Sequence, residues 1–135
     1  MPSWQMRLVA RYMRLCVRRS DWGAGAVLAR RARRHFGAPP MLQRLAGRGL
    51  HHTVVTHHDV RGEWLSVPHP RAGVILYVHG GGYVSCSAAT HRPVTAHLAR
   101  LLRCRVFSMD YRIAPEAERA QIFGEVAWSI FGTKR

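Results

Sequence analysis

The sequence predicts an α/β fold, and three observations support this prediction. A helical hydrophobic period over the first 36 residues gives way to β-branched segments from residue 52 onward. The almost wholly apolar run Val74 to Val78 is followed by a helical pattern and a second strand-like run, Arg105 to Met109; this spacing is typical of a parallel crossover unit. The apolar run also continues directly into a histidine and three glycines, which is how a sheet presents backbone N–H groups to a ligand.

The first predicted helix covers residues 4–19. Its apolar residues fall near one face, and its arginines recur at a spacing that aligns them in one stripe. The apolar face comprises Trp4, Leu8, Tyr12 and Leu15. The arginine stripe comprises Arg7, Arg11, Arg14 and Arg18. Ser20 or Asp21 can cap the segment that follows.

A second helix is predicted over residues 24–36. Its apolar side consists of Val27, Leu28, Ala32 and Phe36. Gly37 is a plausible C-terminal stop, and Pro39-Pro40 enforces it. Residues 41–50 are predicted to connect this helical part to the sheet, without an assigned structure.

The first two strands are predicted at Thr53 to Thr56 and at Glu63 to Val67, with Val60 to Glu63 as the turn between them. Pro68 and Pro70 end the second strand. The run Val74 to Val78 is expected to be buried on both faces of the sheet, because it has no polar alternation.

The next predicted helix covers Ala89 to Leu102, and Arg105 to Met109 is the last predicted strand. We expect four apolar side chains of the helix to point inward: Val94, Leu98, Leu101 and Leu102. A further helical period runs from Glu116 to Phe131, weakened by Gly124. Because no further strand is predicted after this helix, the last parallel strand is expected to be an open edge of the sheet. We expect the chain to aggregate through this edge and through exposed apolar surface.

The charge of the chain is strongly unbalanced. It has 21 Lys+Arg against 7 Asp+Glu in 135 residues, and Lys134 is its single lysine. Residues 1–50 hold eleven arginines and one acid, Asp21. Such asymmetry indicates contact with nucleic acid or an anionic membrane, or a general replacement of lysine by arginine.

The three cysteines, Cys16, Cys86 and Cys104, are far apart and odd in number, so they form neither a disulfide framework nor a zinc-binding spacing. A reducing, cytoplasmic setting fits them best. Arginines interrupt the N-terminal apolar residues, so neither a signal peptide nor a transmembrane span is predicted.

The run His79-Gly80-Gly81-Gly82-Tyr83 is the first candidate functional motif. Glycine permits backbone dihedrals that other residues avoid and lets a ligand approach closely. Two free N–H groups aimed at one point can stabilise a tetrahedral oxyanion by about 3–4 kcal/mol each. The alternative is a glycine-rich turn with a purely structural role.

A second motif, Met109 to Glu116, contains Asp-Tyr-Arg-Ile-Ala-Pro-Glu. Together with the glycine run and Thr90-His91-Arg92 between them, it resembles the hormone-sensitive-lipase-like group of α/β-hydrolases, the fold-3 esterases. Ile113 replaces the usual leucine. The resemblance covers residues 50–116, whereas residues 1–40 resemble the family only as a helical cap.

The resemblance implies a role for each matching residue. Gly81 and Gly82 would donate N–H groups to the oxyanion. The residues that would support this loop are His79, Gly80, Tyr83, Asp110, Tyr111, Arg112 and Glu116. A buried Arg112 would need an anionic partner, which Asp110 or Glu116 would supply.

The family pattern is lost after Glu116, where Ala-Glu-Arg-Ala-Gln-Ile replaces the expected proline-rich segment. None of the serines lies in a Gly-x-Ser-x-Gly nucleophile elbow. In the fold that the chain resembles, the triad runs in the order Ser, acid and His along the chain, so all three are expected to lie beyond this sequence. The expected organisation is a helical cap at residues 1–50 and the first part of an α/β-hydrolase core at residues 51–135, truncated before the elbow.

Three weaker candidates come from other residues. The pairs His51-His52 and His57-His58, with Asp59, are potential metal ligands, but surface histidines at a sheet edge explain them better. Cys86 beside the glycines has no assigned acid–base partner and is expected to be a small buried residue. The arginine stripe of the first helix fits either an anionic lipid surface or a solvated helix face.

The resemblance implies a carboxylic-ester hydrolase that acts through a serine acyl-enzyme on a small ester, with no metal or organic cofactor. This chain carries the oxyanion-hole half and is expected to be inactive alone. Two alternatives remain: one piece of a split esterase, and a basic binding module. For that module peripheral membrane contact is favoured over nucleic acid, since no nucleic-acid motif is present.

Overall fold

The structure is a computed structural model that describes residues 3–17, 25–57 and 60–115. Its helices are α1 (Trp4–Tyr12), continued by a π-helical turn at Met13–Val17, α2 (Gly25–His35), α3 (Pro40–Ala46) and α4 (Arg92–Leu102), preceded by a 3-10 turn at Ala89–His91. Its strands are β1 (His51–His57), β2 (Val60–Ser66), β3 (Val74–Val78) and β4 (Arg105–Met109). The predicted α/β class is confirmed.

The four strands form one mixed sheet in the order β1-β2-β4-β3. β1 and β2 are an antiparallel pair, and β2 is antiparallel to β4. β3 and β4 are parallel and in register from Val74 opposite Arg105 to Val78 opposite Met109. The predicted crossover unit of strand, helix and strand is therefore confirmed.

The turn predicted at Val60 to Glu63 is wrong, because these residues lie in β2 and pair with β1 from His57 opposite Val60 onward. The predicted turn includes Gly62. In the structure it allows β2 to approach β4 closely, since a β-carbon at Gly62 would overlap the carbonyl oxygen of Ser108.

The prediction that β3 is buried on both faces is also wrong. Val74, Leu76 and Val78 are 53%, 38% and 40% exposed, while the alternate residues Ile75 and Tyr77 are partly buried. The reason is that one face of the strand packs against the core through Ile75 and Tyr77, whereas Val74, Leu76 and Val78 share the opposite face. The strand order also makes β3, like β1, an edge strand among the described residues, with β4 lying between β2 and β3.

The core lies between α4 and the sheet. Its buried residues are Leu65, Ala96, Ala99, Cys104 and Val106. The side of α4 that faces the sheet carries Thr95, Ala96 and Ala99, whose small side chains let the helix pack closely. Of the four side chains predicted to point inward, Leu98 packs against the core, but Val94, Leu101 and Leu102 are exposed.

The N-terminal helices form where the sequence predicts them. Ser3 caps α1, because its hydroxyl accepts a hydrogen bond from the N–H of Met6. α2 ends at His35, and Gly37 follows with a φ of +101°. The connector contains a third short helix, α3, which the sequence analysis missed.

Several predicted features lie outside the described residues: the caps Ser20 and Asp21, Arg18, the pair His58 and Asp59, and the whole segment 116–135 with Glu116. Among the described residues, no helix is both long and apolar enough to cross a lipid bilayer.

Candidate active site

The glycine-rich loop begins where β3 ends, and its backbone requires glycine. Gly81 and Gly82 have φ values of +134° and +64°. A β-carbon at Gly81 would overlap the carbonyl oxygen of Ser85, so the loop folds tightly onto itself at this residue. Tyr83 also adopts a left-handed φ, +62°, which makes the bend sharper than the glycines alone would.

The carbonyl oxygen of Gly81 holds the loop closed. It accepts hydrogen bonds from the N–H groups of Val84 and Ser85, at 3.3 and 3.1 Å, and from the Ser85 hydroxyl at 2.8 Å. Within the described part of the chain, no hydrogen bond is formed by the N–H groups of Gly80, Gly81 and Gly82. Successive free N–H groups on a left-handed turn form a concavity that binds anions.

His79 anchors the start of the loop and is 3% exposed. Its Nδ1 lies 2.8 Å from the carbonyl oxygen of Gly80, and its own carbonyl oxygen accepts a 2.6 Å hydrogen bond from the Tyr111 hydroxyl. Its ring stacks on Tyr111 at 4.4 Å and on His91 at 5.6 Å between centroids. Burial lowers the pKa of His79, so the neutral imidazole is favoured at this position.

Asp110 connects the end of β4 to the start of the crossover helix. Its Oδ1 accepts a 2.6 Å hydrogen bond from the N–H of Ala88, and its own N–H donates to the carbonyl oxygen of Arg61 at 2.8 Å. The same Oδ1 lies 3.9 Å from Nε2 of His79. Asp110 therefore contacts both segments that flank the glycine loop.

Tyr111 and Tyr83 are placed differently although both are near the loop. Tyr111 is buried, and this burial raises the pKa of its hydroxyl, which remains a hydrogen-bond donor. Tyr83 is 38% exposed, and its carbonyl oxygen accepts a 2.7 Å hydrogen bond from the N–H of Ala114. The second motif thus contacts the glycine loop through Tyr111 and Ala114.

The expectation of a buried Arg112 is wrong, because Arg112 is exposed in the loop after β4. The buried ion pair is formed instead by Arg92 and Glu63. Nη2 of Arg92 lies 2.6 Å from Oε2 of Glu63, and Nε lies 3.0 Å from Oε1. These hydrogen bonds raise the pKa of Arg92, and His52 Nε2 approaches the same carboxylate at 3.0 Å.

Sequence reasoning missed this pair, although it quoted Arg92 within a motif. The signal that could have revealed the pair is an acidic residue in the middle of a strand, with buried residues beside it. Such a residue indicates an ion pair, because a buried charge needs a partner. Glu63 is such a residue, 3% exposed on β2. The pair fixes the first turn of α4 against the sheet, directly after the segment that closes the glycine loop.

Sequence reasoning also assigned no role to three polar side chains that hold the loop, although it quoted Thr90 within a motif. Ser85 is almost completely buried under Gly81. The hydroxyl of Thr90 accepts from the N–H of Ser87 at 2.8 Å and so closes the turn before α4. Arg33 of α2 donates to the carbonyl oxygens of Val84 and Ala114, each at 3.0 Å.

These contacts join the N-terminal helices to the loop and enclose an apolar groove of about 780 Å³. The N–H of Ala38 donates to the carbonyl oxygen of Thr90 at 3.1 Å, and both residues line the groove. The groove is lined by the glycine loop with Ser85, Cys86 and Val84, by α2 and the residues after it (Leu28, Ala32, Phe36, Gly37, Ala38, Leu42), and by Thr90, His91, Pro93 and Val94.

The remaining candidates do not form a site in the described ranges. No group of three or more His, Cys, Asp or Glu is placed there to hold a metal ion. His52 is bound to Glu63, and His57 is exposed. Cys86 is partly buried, has a φ of +72° and has its Sγ 3.8 Å from the Ser85 hydroxyl.

Comparison with known proteins gives a consistent result. A family model described as the α/β hydrolase fold matches residues 75–126. Hormone-sensitive lipase of Mus musculus is 32% identical over 94 residues, which cover 62% of this chain and 12% of the lipase. The carboxylesterase NlhH of Mycobacterium tuberculosis (strain CDC 1551 / Oshkosh) is 35% identical over 95 residues, which cover 68% of this chain and 30% of that protein.

Solved structures show the same likeness. A mutant of the esterase E40 has a TM-score of 0.72 and 26% identity, over 96% of this chain and 42% of that one. An esterase from the bacterial hormone-sensitive lipase family has a TM-score of 0.58 and 27% identity, over 80% of this chain and 42% of that one. The chain thus spans less than half the length of each of these proteins. It belongs to the hormone-sensitive-lipase-like group of α/β-hydrolases and corresponds to part of their fold.

Proposed function

We propose that the loop His79–Tyr83 is the oxyanion-binding element of a carboxylic-ester hydrolase, with Gly81 and Gly82 as the donors. The observation that carries this proposal is that three successive N–H groups, at Gly80, Gly81 and Gly82, have no partner among the described residues and border an apolar groove. The names of two relatives, a hormone-sensitive lipase and a carboxylesterase, support the same chemistry.

In the proposed reaction, a serine hydroxyl attacks the ester carbonyl carbon and the carbonyl oxygen becomes an oxyanion. The loop N–H groups donate to this oxygen, and each such donor stabilises the transition state by about 3–4 kcal/mol. The acyl or alcohol part of a small ester occupies the groove. Collapse of the tetrahedral intermediate expels the alcohol and leaves an acyl-serine, which water hydrolyses; no metal or organic cofactor takes part.

The serine, acid and histidine of this reaction come from outside the sequence printed here, which has no Gly-x-Ser-x-Gly. We therefore propose that the chain alone is inactive. The missing triad would be supplied by further sequence in the same protein or by a second chain, as in a split esterase.

The other motif residues act in this proposal as positioning residues. His79, Tyr111 and Asp110 hold the two ends of the loop through the contacts described above. Gly80, Tyr83, Arg112 and Glu116 belong to the same supporting set. Residues 1–50 act as a cap that lines the groove, and residues 51–135 as the first part of the hydrolase core.

The test is a chimera in which residues 1–115 are joined to the part of the mycobacterial carboxylesterase that follows its matched segment. We expect hydrolysis of p-nitrophenyl acetate and butyrate by the chimera, and none above background by the unfused chain. The control chimera carries alanine in place of the elbow serine and should be inactive. A folded chimera without activity, or equal hydrolysis by the unfused chain, would contradict the proposal.

A further inference from the structure

Helix α1 exposes apolar residues over most of its circumference. Five residues of α1 and the residue directly after it are between 41% and 67% exposed: Trp4, Met6, Leu8, Val9, Tyr12 and Met13. At 3.6 residues per turn they span an arc of roughly 200°. Arg7 and Arg11, both exposed, occupy the remaining side, and α1 contains no acidic residue.

This apolar arc is wider than the face the sequence analysis assigned to the helix. Within the described ranges, α1 packs mainly against its own continuation at Met13–Val17 and shares no extensive contact with the sheet or another helix. Exposed apolar surface that is continuous and bordered by charge is typical of an interaction site. The question is then which partner fits both the apolar arc and the arginines.

We propose that α1 binds to the surface of an anionic lipid bilayer. The helix would lie in the plane of the interface, with Trp4, Leu8 and Val9 among the acyl chains and the arginines at the level of the anionic headgroups. Tryptophan and tyrosine rings favour this boundary, and arginine beside an apolar face is the composition of interfacial helices. α1 belongs to the proposed cap, but none of its residues lines the groove, so the binding does not depend on the oxyanion role of the glycine loop.

Two other partners fit the helix less well. A nucleic acid would engage Arg7 and Arg11 through its phosphates but would leave the apolar arc exposed to water. A second copy of α1 would cover the arc but would leave Arg7 and Arg11 of both copies without an anionic partner, because α1 contains no acidic residue. An anionic bilayer satisfies both sides of the helix at once.

The test uses the full chain in flotation with vesicles of phosphatidylcholine alone and of phosphatidylcholine with phosphatidylglycerol, because bound chain floats with the vesicles whereas aggregated chain stays at the bottom. Binding is expected for the anionic vesicles. Leu8→Gln with Val9→Gln should weaken it at least about tenfold, since each removes several buried methylene groups. Arg7→Gln with Arg11→Gln should weaken it about 25-fold, since each arginine contributes about fivefold near an anionic surface.

The matched control is Arg30→Gln with Arg34→Gln, which removes the same charge from exposed positions of α2 and should weaken binding far less. All these residues are exposed, so the variants should fold. Equal weakening by the control pair would overturn the proposal, because net charge would then explain the binding. Two further outcomes would overturn the proposal. In the first, the chain binds RNA tightly and the Leu8 and Val9 changes do not affect this binding. In the second, the chain does not bind vesicles but self-associates, and these changes abolish the self-association.

Discussion

Gly82 shows how much of the site is set by a single backbone angle. Its φ is +64°, and a β-carbon there would meet no atom within 4 Å, so steric overlap does not exclude a side chain. An alanine would nevertheless be strained by about 1–2 kcal/mol in this left-handed conformation. The strain is relieved if the loop turns toward negative φ, which moves the neighbouring N–H groups.

We therefore expect Gly82→Ala, made in the active chimera, to lower kcat by about tenfold or more with a small change in KM. The reason is that oxyanion donors act on the transition state and not on the bound ester. The control is Gly49→Ala, where φ is +73° and the space is equally open, but which lies outside the groove. An equal loss of kcat in both variants would show that backbone strain, and not the position of the N–H donors, causes the loss.

His79 gives a prediction for pH. Burial lowers its pKa in the folded chain below the ordinary value of 6.5, so the folded state binds the proton less readily than the unfolded state. Its contribution to stability is complete above pH 6.5 and is lost as the pH falls from there through the folded pKa. The free energy of unfolding in urea should decrease over this window, and His79→Phe should make the decrease smaller. An unchanged pH dependence in the variant would contradict this assignment.

Among the secondary-structure elements, β2 and α4 are joined by a buried ion pair. The side chains of Glu63 and Arg92 are 4% and 14% exposed. Glu63→Gln leaves the guanidinium with a neutral partner and should cost about 3 kcal/mol of unfolding free energy, because a buried charge then lacks compensation. The double variant Glu63→Gln with Arg92→Met should recover part of this loss in urea unfolding. A double variant less stable than the single one would show that Arg92 acts mainly through other contacts.

The predictions for the elements succeeded where the signal was local. β3, α4 and β4 were found because an apolar run, a 3.6-residue period and a second apolar run each depend on a few neighbouring residues. The errors concern strand order and contacts between distant residues. β3 is an edge because β4 inserts beside β2, and Gly62 is in a strand because Ser108 lies against it; neither fact is visible in the local pattern.

The residues of the candidate site also fall into two groups, those that the local sequence predicts and those that depend on contacts between distant residues. Gly81 and Gly82 could be located from the sequence, since the requirement for glycine is a property of the loop itself. Several contacts that hold the loop and that no motif predicted join residues far apart along the chain. Arg33 reaches Ala114 across 81 residues, and Arg92 reaches Glu63 across 29. No spacing in the sequence encodes such pairs.

For the whole molecule, the exposed edge of the sheet predicts poor solubility. Within the described residues β3 pairs on one side with β4, and Val74, Leu76 and Val78 are exposed along it. An apolar, unprotected edge favours pairing with another copy, and a lysine on the edge opposes it. We expect Leu76→Lys to raise the soluble fraction and to reduce light scattering of the concentrated chain. Unchanged aggregation would exclude this edge as the cause.

The central claim is that free N–H groups of the glycine loop bind an oxyanion beside an apolar groove. The claim can be tested without a nucleophile, using the full chain with the solubilising change Leu76→Lys, which lies outside the groove. This chain is labelled with ¹⁵N-glycine and titrated with hexanoate, a carboxylate with an apolar tail. The amide signals of Gly80, Gly81 and Gly82 should shift together and saturate at one hexanoate concentration. Gly49 and Gly73, which do not line the groove, should not shift.

The same titration with hexanol is the control, because it offers the tail without the charge and should move the loop amides much less. If hexanoate leaves the signals of the three loop glycines in place, or shifts all glycines alike, the loop does not bind an oxyanion and the account is wrong.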